Sequence, residues 1–164
     1  MLRNPNLVPL SRQHQHALAV CVRIRRAKLA TPREVRAWQA EIEQHFEIEI
    51  RHHFAAEEAY VFPIASRIGD LTPLVDELLS EHRELRADFG RVKARALDGP
   101  ALRRFVELLS AHIRKEERLL FERLQREIPA PEMQEMGRQI ARAMASVPDL
   151  CIPPTELQLK KRDY

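Results

Sequence analysis

The chain has 164 residues, a hydrophobic fraction of 45% and a formal net charge of only +3, which suits one domain with a buried core and no disulfide framework. Glycine is scarce, with 4 residues, and aromatic residues make up only 5%, so the composition favours helices over sheets. No stretch approaches the roughly 20 apolar residues of a membrane span, and the N-terminus lacks the apolar segment of a signal peptide. We therefore expect a soluble cytoplasmic protein with no membrane partner.

Charge distribution and cysteine usage argue against two further classes of protein. Acidic and basic residues alternate along the middle of the chain, and we expect the one basic cluster, from Arg23 to Lys28, to be a solvated helix face. No nucleic-acid partner is therefore predicted. Cys21 and Cys151 lie far apart, without the spacing of a zinc ribbon, so both are expected to be reduced.

Start and stop signals divide the chain into five predicted helices, near 10–29, 32–65, 73–97, 101–128 and 132–146. Thr31-Pro32-Arg33-Glu34 combines an N-cap, a proline at the first helical position and the glutamate of a capping box. Pro63 is expected to bend the end of the second helix. Short connections favour antiparallel neighbours, so the sequence predicts an all-α, up-down-up-down four-helix bundle with a short fifth helix. This domain covers residues 1–147, and residues 148–164 are expected to form a basic C-terminal tail.

Each of the four long helices carries an apolar stripe, and ionisable residues interrupt those stripes. The second and fourth helices each contain an HxxxE pair, whose two members project from one face because they lie four residues apart. The first and third helices each carry a histidine near their N-terminal ends, and the HxxxE pairs lie in the C-terminal halves of the second and fourth helices. In an antiparallel bundle these four places fall at the same end. The six residues that can meet in one layer are His14, His53, Glu57, His82, His112 and Glu116.

The chemistry of these six side chains predicts a dimetal site. Imidazole and carboxylate ligands without a thiolate suit iron, manganese or zinc, and carboxylates able to bridge two ions favour a di-iron or mixed pair over a structural zinc. A single core histidine is more often a structural residue than a ligand. Buried together without a metal, however, these groups would each carry an uncompensated desolvation cost of several kcal/mol.

Four motifs resemble those of the hemerythrin-like, HHE cation-binding family over roughly residues 8–145. They are Leu-Ser-Arg-Gln-His ending at His14, HFxxEExxxFP beginning at His53, Glu81-His82-Arg-Glu-Leu, and HxxxEExxxF beginning at His112. The resemblance implies a four-helix bundle with two non-haem iron ions in an oxo- or hydroxo-bridged pair, zinc or manganese being less expected. The implied ligands are His14 and His53 on one iron and His82 and His112 on the other, with Glu57 and Glu116 bridging.

The chain departs from the oxygen-carrying hemerythrins on the third helix. Those carriers have a second histidine four positions after the first, where this chain has Arg86, which cannot be a ligand. One iron therefore lacks a ligand unless His16, His45, Glu58 or water replaces it.

A second departure concerns the fourth helix, where the carriers use a longer His-to-Asp spacing. Glu117 has that spacing but lies off the apolar stripe, so we prefer Glu116 as the ligand. His14 is preferred over His16 because it aligns with the apolar residues of the first helix. Glu49 is a candidate to orient a neighbouring histidine, His53.

Tyr60 is expected to be a core aromatic residue rather than a proton donor, and His45 and His52 are expected to be solvated or to support the site from outside.

A site with a missing ligand has exchangeable positions, which favours redox turnover or nitric oxide binding over reversible oxygen carriage. The sequence thus predicts a protein that binds or turns over oxygen, nitric oxide or peroxide in sensing, storage or detoxification. A peroxide-consuming activity is left open. The alternative is a metal-free or zinc-binding helical interaction module.

Overall fold

The computed structural model describes residues 2–147, and all the regular secondary structure in that range is helical. Helix α1 (Val8–Arg26) follows a 3-10 turn at Pro5–Leu7, and helix α3 (Thr72–Lys93) follows one at Gly69–Leu71. Helix α2 consists of Pro32–His45, Phe46–Ile50, Arg51–Ala56, Glu57–Val61 and Phe62–Ala65, of which the second and fourth segments are π-helical. Helix α4 consists of Gly99–Lys115, the π-helical Glu116–Leu120 and Phe121–Glu127, and helix α5 is Ala130–Met144.

Helices α1 to α4 form an antiparallel up-down-up-down bundle, which confirms the predicted all-α fold. Helix α1 packs against α2 and α4, and α3 packs against the same two helices. The short fifth helix lies across the Pro5–Leu7 turn and the part of α2 between Arg51 and Val61. No helix within residues 2–147 is both long and apolar enough to cross a membrane. The predicted basic tail at 148–164, with Cys151, lies outside the described residues.

Local hydrogen bonds fix where α1 ends and α2 begins. The Thr31 hydroxyl accepts from the backbone N–H of Glu34, and the Glu34 carboxylate accepts from the backbone N–H of Thr31, so the predicted capping box is present. Helix α1 ends at Arg26, earlier than the predicted residue 29. The Arg103 guanidinium donates to the carbonyls of Arg25 and Ala27 at 3.0 and 2.7 Å and so satisfies the end of that helix.

Helix α3 ends at Lys93, whereas the sequence predicted an end near residue 97. Arg95 adopts a φ of 56°, and the Ala96 N–H donates to the Arg91 carbonyl across the end of the helix. The chain then turns inward, so that Leu97 is buried and both its backbone groups pair with the buried Gln39 amide, at 3.1 and 3.2 Å. This pairing, rather than a further helical turn, satisfies the backbone of Leu97.

Two π-helical turns begin at equivalent places in α2 and α4, at Glu57 and Glu116. π-helical turns are rare and often mark functional sites, because the extra residue changes which side chains face the core. Helix α2 continues through Pro63 to Ala65, directly after its π turn. The matching turn in α4 has no proline in its following segment, so proline is not the common cause.

Two apolar cores flank a layer of ionisable side chains in the bundle. One core includes Ile24, Phe89 and Phe105, and the other includes Leu10 and Leu124 and is closed by residues of α5. Each core buries apolar surface from all four long helices, which is the main favourable term in their association. The ionisable layer between the cores contains the residues that the sequence predicted as metal ligands.

Candidate metal centre

The bundle brings all six predicted ligands into one buried layer. Each helix contributes from its core-facing stripe, so helical periodicity alone directs these side chains inward. None of the six is more than 4% exposed: His14 from α1, His53 and Glu57 from α2, His82 from α3, and His112 and Glu116 from α4.

The six side chains form two groups that share the two glutamates, with the ligand atoms of each group all within 4.8 Å of one another. In the first group, the Nε2 atoms of His14 and His53 lie 2.8 Å apart. That distance is close to the roughly 3 Å between two nitrogens held by one ion with bonds of about 2.1 Å. Glu57 Oε1 lies 3.2 Å from His53 Nε2, and Glu116 Oε2 lies 3.1 Å from His14 Nε2.

The second group uses the other oxygen of each glutamate. Glu57 Oε2 lies 3.5 Å from His82 Nε2, and Glu116 Oε1 lies 3.1 Å from His112 Nε2 and 3.8 Å from His82 Nε2. Each carboxylate therefore directs one oxygen toward each pair of histidines. This is the arrangement by which a carboxylate bridges two metal ions.

Several polar atoms in this layer have no hydrogen-bond partner within the described chain. Both carboxylate oxygens of Glu57 and of Glu116 are in this state, as are the Nε2 atoms of His82 and His112. Buried polar atoms are nearly always satisfied, and each exception calls for an explanation. All six atoms point to the centre of the two groups, so a pair of metal ions fits the donor set that the residues present.

In each of the four histidines of the layer, the outer ring nitrogen contacts a side chain that is next in sequence to one of the six candidate ligands. His14 Nδ1 lies 2.7 Å from Glu117 and His82 Nδ1 lies 2.8 Å from Glu58, each carboxylate following a shared glutamate. His112 Nδ1 lies 2.9 Å from Glu81, and His53 Nδ1 lies 3.0 Å from the Gln13 amide oxygen. Since carboxylate and amide oxygens accept, each Nδ1 donates, and each Nε2 faces the centre, where it could bind a metal ion once it has lost its proton.

Cations neutralise the three outer carboxylates. The Arg3 guanidinium and the Ser11 hydroxyl donate to Glu117 at 2.6 and 2.7 Å. Arg86 donates to Glu58 at 2.7 Å, and Lys115 donates to Glu81. Each histidine–carboxylate pair thus ends in a cation or at the surface, which limits the charge buried around the site.

The shared glutamates set the protonation of the histidines in the metal-free chain. Burial lowers the pKa of His14, but Glu116 and Glu117 beside it outweigh burial and raise the pKa to about 9. Burial is likewise opposed at His112, where Glu116 and Glu81 raise the pKa to about 10. Glu116 responds in the opposite direction: burial favours its neutral form, but His112 and His14 hold its pKa well below the usual range. Protons therefore balance the buried carboxylates where metal cations would.

Aromatic rings pack against the histidines and hold them in place. The Phe54 ring stacks on His82 with ring centroids 3.8 Å apart, and Phe121 stacks on His14 at 5.6 Å. The Arg86 guanidinium also lies over the Phe54 ring, with its central carbon 5.4 Å from the ring centroid. Rigid, apolar walls around a metal site limit water access and fix the ligand orientation.

A cavity of about 10 Å³ lies against the layer, room for about one water-sized molecule. Apolar side chains make up much of its wall, including Ala17, Ile50 and Leu109, and His53 and His112 border it. Gln13 borders this cavity and also an outer cleft of about 170 Å³ that contains His16 and Glu49. The position next to the six ligands is thus sized for a small molecule.

The structure separates the first-helix alternatives. His14 is buried in the layer, whereas His16 is 32% exposed on its side chain and lies 3.2 Å from Glu49. The suggestion that Glu49 orients His53 was wrong, because Gln13 contacts the outer nitrogen of His53. Neither metal-ligand group includes His16.

None of the three side chains proposed as replacements for the lost ligand lies in the layer. Glu58 is held by His82 and Arg86 on the outer side. His45 is fully buried rather than solvated, 4.0 Å from Glu49, and burial together with nearby positive charge lowers its pKa to about 4. Glu116 lies within the layer and Glu117 outside it, in the order that the apolar stripe predicted.

Sequence reasoning gave no supporting role to four side chains, Gln13, Glu58, Glu81 and Glu117. Their common signal was adjacency, since each stands directly beside a candidate ligand in sequence. A residue one position from a core residue is rotated by about 100° around the helix and reaches the edge of the neighbouring helix. The partner it meets there depends on how the helices pack.

Comparison with known families agrees with this geometry. The family model described as the hemerythrin HHE cation binding domain matches residues 8–124, which include α1 to α3, most of α4 and all six candidate ligands. Searches of curated proteins and of solved structures return no match. The chain therefore belongs to the hemerythrin HHE cation-binding family.

Proposed function

We propose that this protein binds a pair of non-haem iron ions and that the pair binds or turns over oxygen, nitric oxide or peroxide. The observation that carries this proposal is the sharing of Glu57 and Glu116 between two histidine pairs, with one oxygen of each carboxylate directed to each pair. A single structural zinc ion binds four ligands, so it would leave two of the six residues unused.

The donor set favours iron and leaves room for a small molecule. Each ion would take two imidazole nitrogens and one oxygen from each of the two glutamates, and imidazole with carboxylate suits redox-active iron. With only those four ligands, each ion would keep positions for exchangeable groups. When bound, the iron pair would supply one- and two-electron chemistry toward oxygen, nitric oxide or peroxide.

The chain's own residues define what reaches that position. The cavity of about 10 Å³ beside His53 and His112 has room for about one water-sized molecule, which supports a small ligand rather than a bulky one. Phe54 and the apolar wall keep bulk water away from the layer. Arg86, at the position of the carriers' extra histidine, pairs with Glu58 and contributes no ligand. These features support sensing, storage or detoxification rather than oxygen transport, and a cytoplasmic location belongs to the same proposal.

Metal analysis of anaerobically purified protein tests the proposal directly. We expect about two iron ions per chain, with near-ultraviolet absorption of the oxidised pair. Glu57→Gln should lower iron binding at both positions because both groups share this carboxylate, whereas His53→Ala should lower it at one. His52→Ala, next in sequence but outside both groups, is the matched control. Tightly bound zinc, or no metal, would support the interaction module instead.

Peroxide loss and nitric oxide binding separate the remaining activities. In iron-loaded protein, His112→Ala should slow peroxide loss if the pair catalyses it, and should alter the nitric oxide spectrum if the pair senses that gas. His52→Ala should change neither. Turnover that is the same in His112→Ala as in wild type would exclude catalysis at this site.

A further inference from the structure

The two histidine groups of the layer are supported by residues at corresponding positions, and these supporting residues differ in charge at one position. Glu117 and Glu58 follow the two shared glutamates and hold the histidines of α1 and α3 in the same way. The residues that precede those two histidines also correspond, but one is Glu81 and the other is Gln13.

The two groups of histidines are therefore supported unequally. Both histidines of the second group, His82 and His112, donate their outer N–H to a carboxylate. In the first group one histidine donates to Glu117 and the other, His53, donates to the neutral amide of Gln13 at 3.0 Å. Three histidines thus have an anionic partner and one has a neutral partner.

The cations around the layer do not cancel this difference. Glu117 has Arg3, Glu58 has Arg86, and Glu81 has Lys115, so each carboxylate has one cationic partner. Lys115 is further shared with Glu77, which returns part of the negative charge to that side of the bundle. The Gln13 side of the layer has no corresponding ion pair with the outer nitrogen of its histidine within residues 2–147.

A hydrogen bond from imidazole to a carboxylate raises the basicity of the opposite nitrogen more than one to an amide, because the charged acceptor forms the stronger bond. A more basic imidazole binds a metal cation more tightly. Removal of such a supporting partner typically costs about 10- to 100-fold in metal affinity.

We propose that Glu81 and Gln13 are positioning residues that set the order of metal loading. The position held by His82 and His112 fills first, and the position held by His14 and His53 fills second. This inference rests on the proposed binding of two metal ions by the shared-glutamate layer.

Stepwise titration of the metal-free full-length chain tests the order. The probe is Zn²⁺ followed by calorimetry, because it is redox-inert, with anaerobic Fe²⁺ as a second probe. Wild-type protein should show two steps that differ by about 10- to 100-fold in affinity. Glu81→Gln should weaken the first step and bring the two together, and Gln13→Glu should strengthen the second step with the same outcome.

Exchange of the residues at positions 13 and 81, followed by NMR, shows which pair of histidines binds metal first. With ¹⁵N-labelled histidine and Zn²⁺, the imidazole nitrogen signals of His82 and His112 should move at the first equivalent, and those of the other two histidines at the second. In the double variant Gln13→Glu, Glu81→Gln this order should reverse. A residue that merely stabilised the fold would weaken binding, but its exchange would not reverse the order.

Matched controls separate the effect of the hydrogen bond to a histidine from the effect of a nearby change in charge. Glu77→Gln removes a carboxylate that also contacts Lys115 but does not touch His112, and Gln15→Glu adds a charge on the exposed face of α1. Both should change the two affinities much less than Glu81→Gln and Gln13→Glu do, because neither residue contacts a candidate ligand. Two equal steps in wild type, or first filling at His14 and His53, would overturn the inference while leaving two-metal binding intact. A chain that binds neither Zn²⁺ nor Fe²⁺ would overturn the proposed function and this inference together.

Discussion

Glu57 and Glu116 are buried among four histidines, and in the metal-free chain protons have to balance their charge. The cost of burying two carboxylates near one another is high, so at least one counter-charge must be retained at neutral pH. His14 and His112 supply it, since the glutamates raise their pKa values to about 9 and about 10 despite burial. Metal binding would displace these protons, because a ligating imidazole must be deprotonated.

This arrangement predicts the pH dependence of stability in the metal-free protein. The folded chain retains protons on His14 and His112 up to about pH 9 to 10, whereas the unfolded chain releases them near the ordinary value of 6.5. The stabilisation is therefore complete below pH 6.5 and is lost as the pH rises toward 10. Urea unfolding of metal-free protein from pH 6 to 10 measures it.

Metal-loaded protein should not show this alkaline loss, because its histidines carry no such protons. A metal-free protein whose unfolding free energy rises between pH 7 and 10 would contradict the assignment of protons to His14 and His112.

The ends of the helices are held by side chains at positions remote from the metal layer. Gln39 joins α2 to the segment after α3, and its amide pairs with both backbone groups of Leu97 in a buried setting. A buried backbone group without a partner costs about 1–3 kcal/mol, so this one side chain protects two such groups. The early end of α3 depends on it.

Gln39→Leu should lower the free energy of unfolding by about 2 kcal/mol or more, because it keeps the volume and removes both hydrogen bonds. Chemical denaturation measures the change. Gln44→Leu, the same substitution at an exposed position of the same helix, is the control and should be within about 0.5 kcal/mol of wild type. Equal effects of the two substitutions would show that the pairing contributes nothing.

Helix α5 approaches the N-terminal turn closely at Gly137. A Cβ atom at this position would lie 2.6 Å from the Asn6 Cβ, nearer than real side chains approach. Gly137→Ala should therefore destabilise the protein by about 1–3 kcal/mol through displacement of Asn6. In Gly90→Ala the added Cβ meets nothing within 4 Å, so that control should stabilise α3 by about 0.5–1 kcal/mol. Thermal unfolding of both variants gives the comparison, and a neutral Gly137→Ala would show that α5 can shift freely.

At the scale of the whole molecule, two apolar cores lie on either side of the ionisable layer. The apolar residues of each core pack the long helices together, and this packing does not depend on the candidate ligands. The bundle should therefore remain folded without metal, unlike small domains in which the metal supplies most of the folding free energy. Metal would add stability that grows with the logarithm of the ratio of free metal concentration to Kd.

We expect addition of metal to raise the melting temperature with little change in helix content. At a free metal concentration 100-fold above Kd the added stability is about 2.7 kcal/mol. Circular dichroism before and after chelation measures both quantities. Glu57→Gln should abolish most of the shift and His52→Ala should retain it. Loss of helical signal on chelation would show that the cores alone do not hold the bundle.

The sequence by itself determined the helical class, the capping box at Thr31 and the six residues that meet in the layer. It could do so because helical periodicity fixes which residues share a face, and because ionisable residues on an apolar stripe are costly without a partner. The family resemblance rested on the same residues, and the match over residues 8–124 confirms it.

Only the tertiary structure decided which atoms meet. The division of oxygens between two histidine pairs, the contact of Gln13 with His53 and the outward pairing of Arg86 with Glu58 depend on packing between helices. The end of α3 was likewise misplaced from sequence, because the partner of Leu97 lies on another helix. Local periodicity specifies a face but not the neighbour that the face meets, and that choice decided both the bridging geometry and the unequal support of the two metal positions.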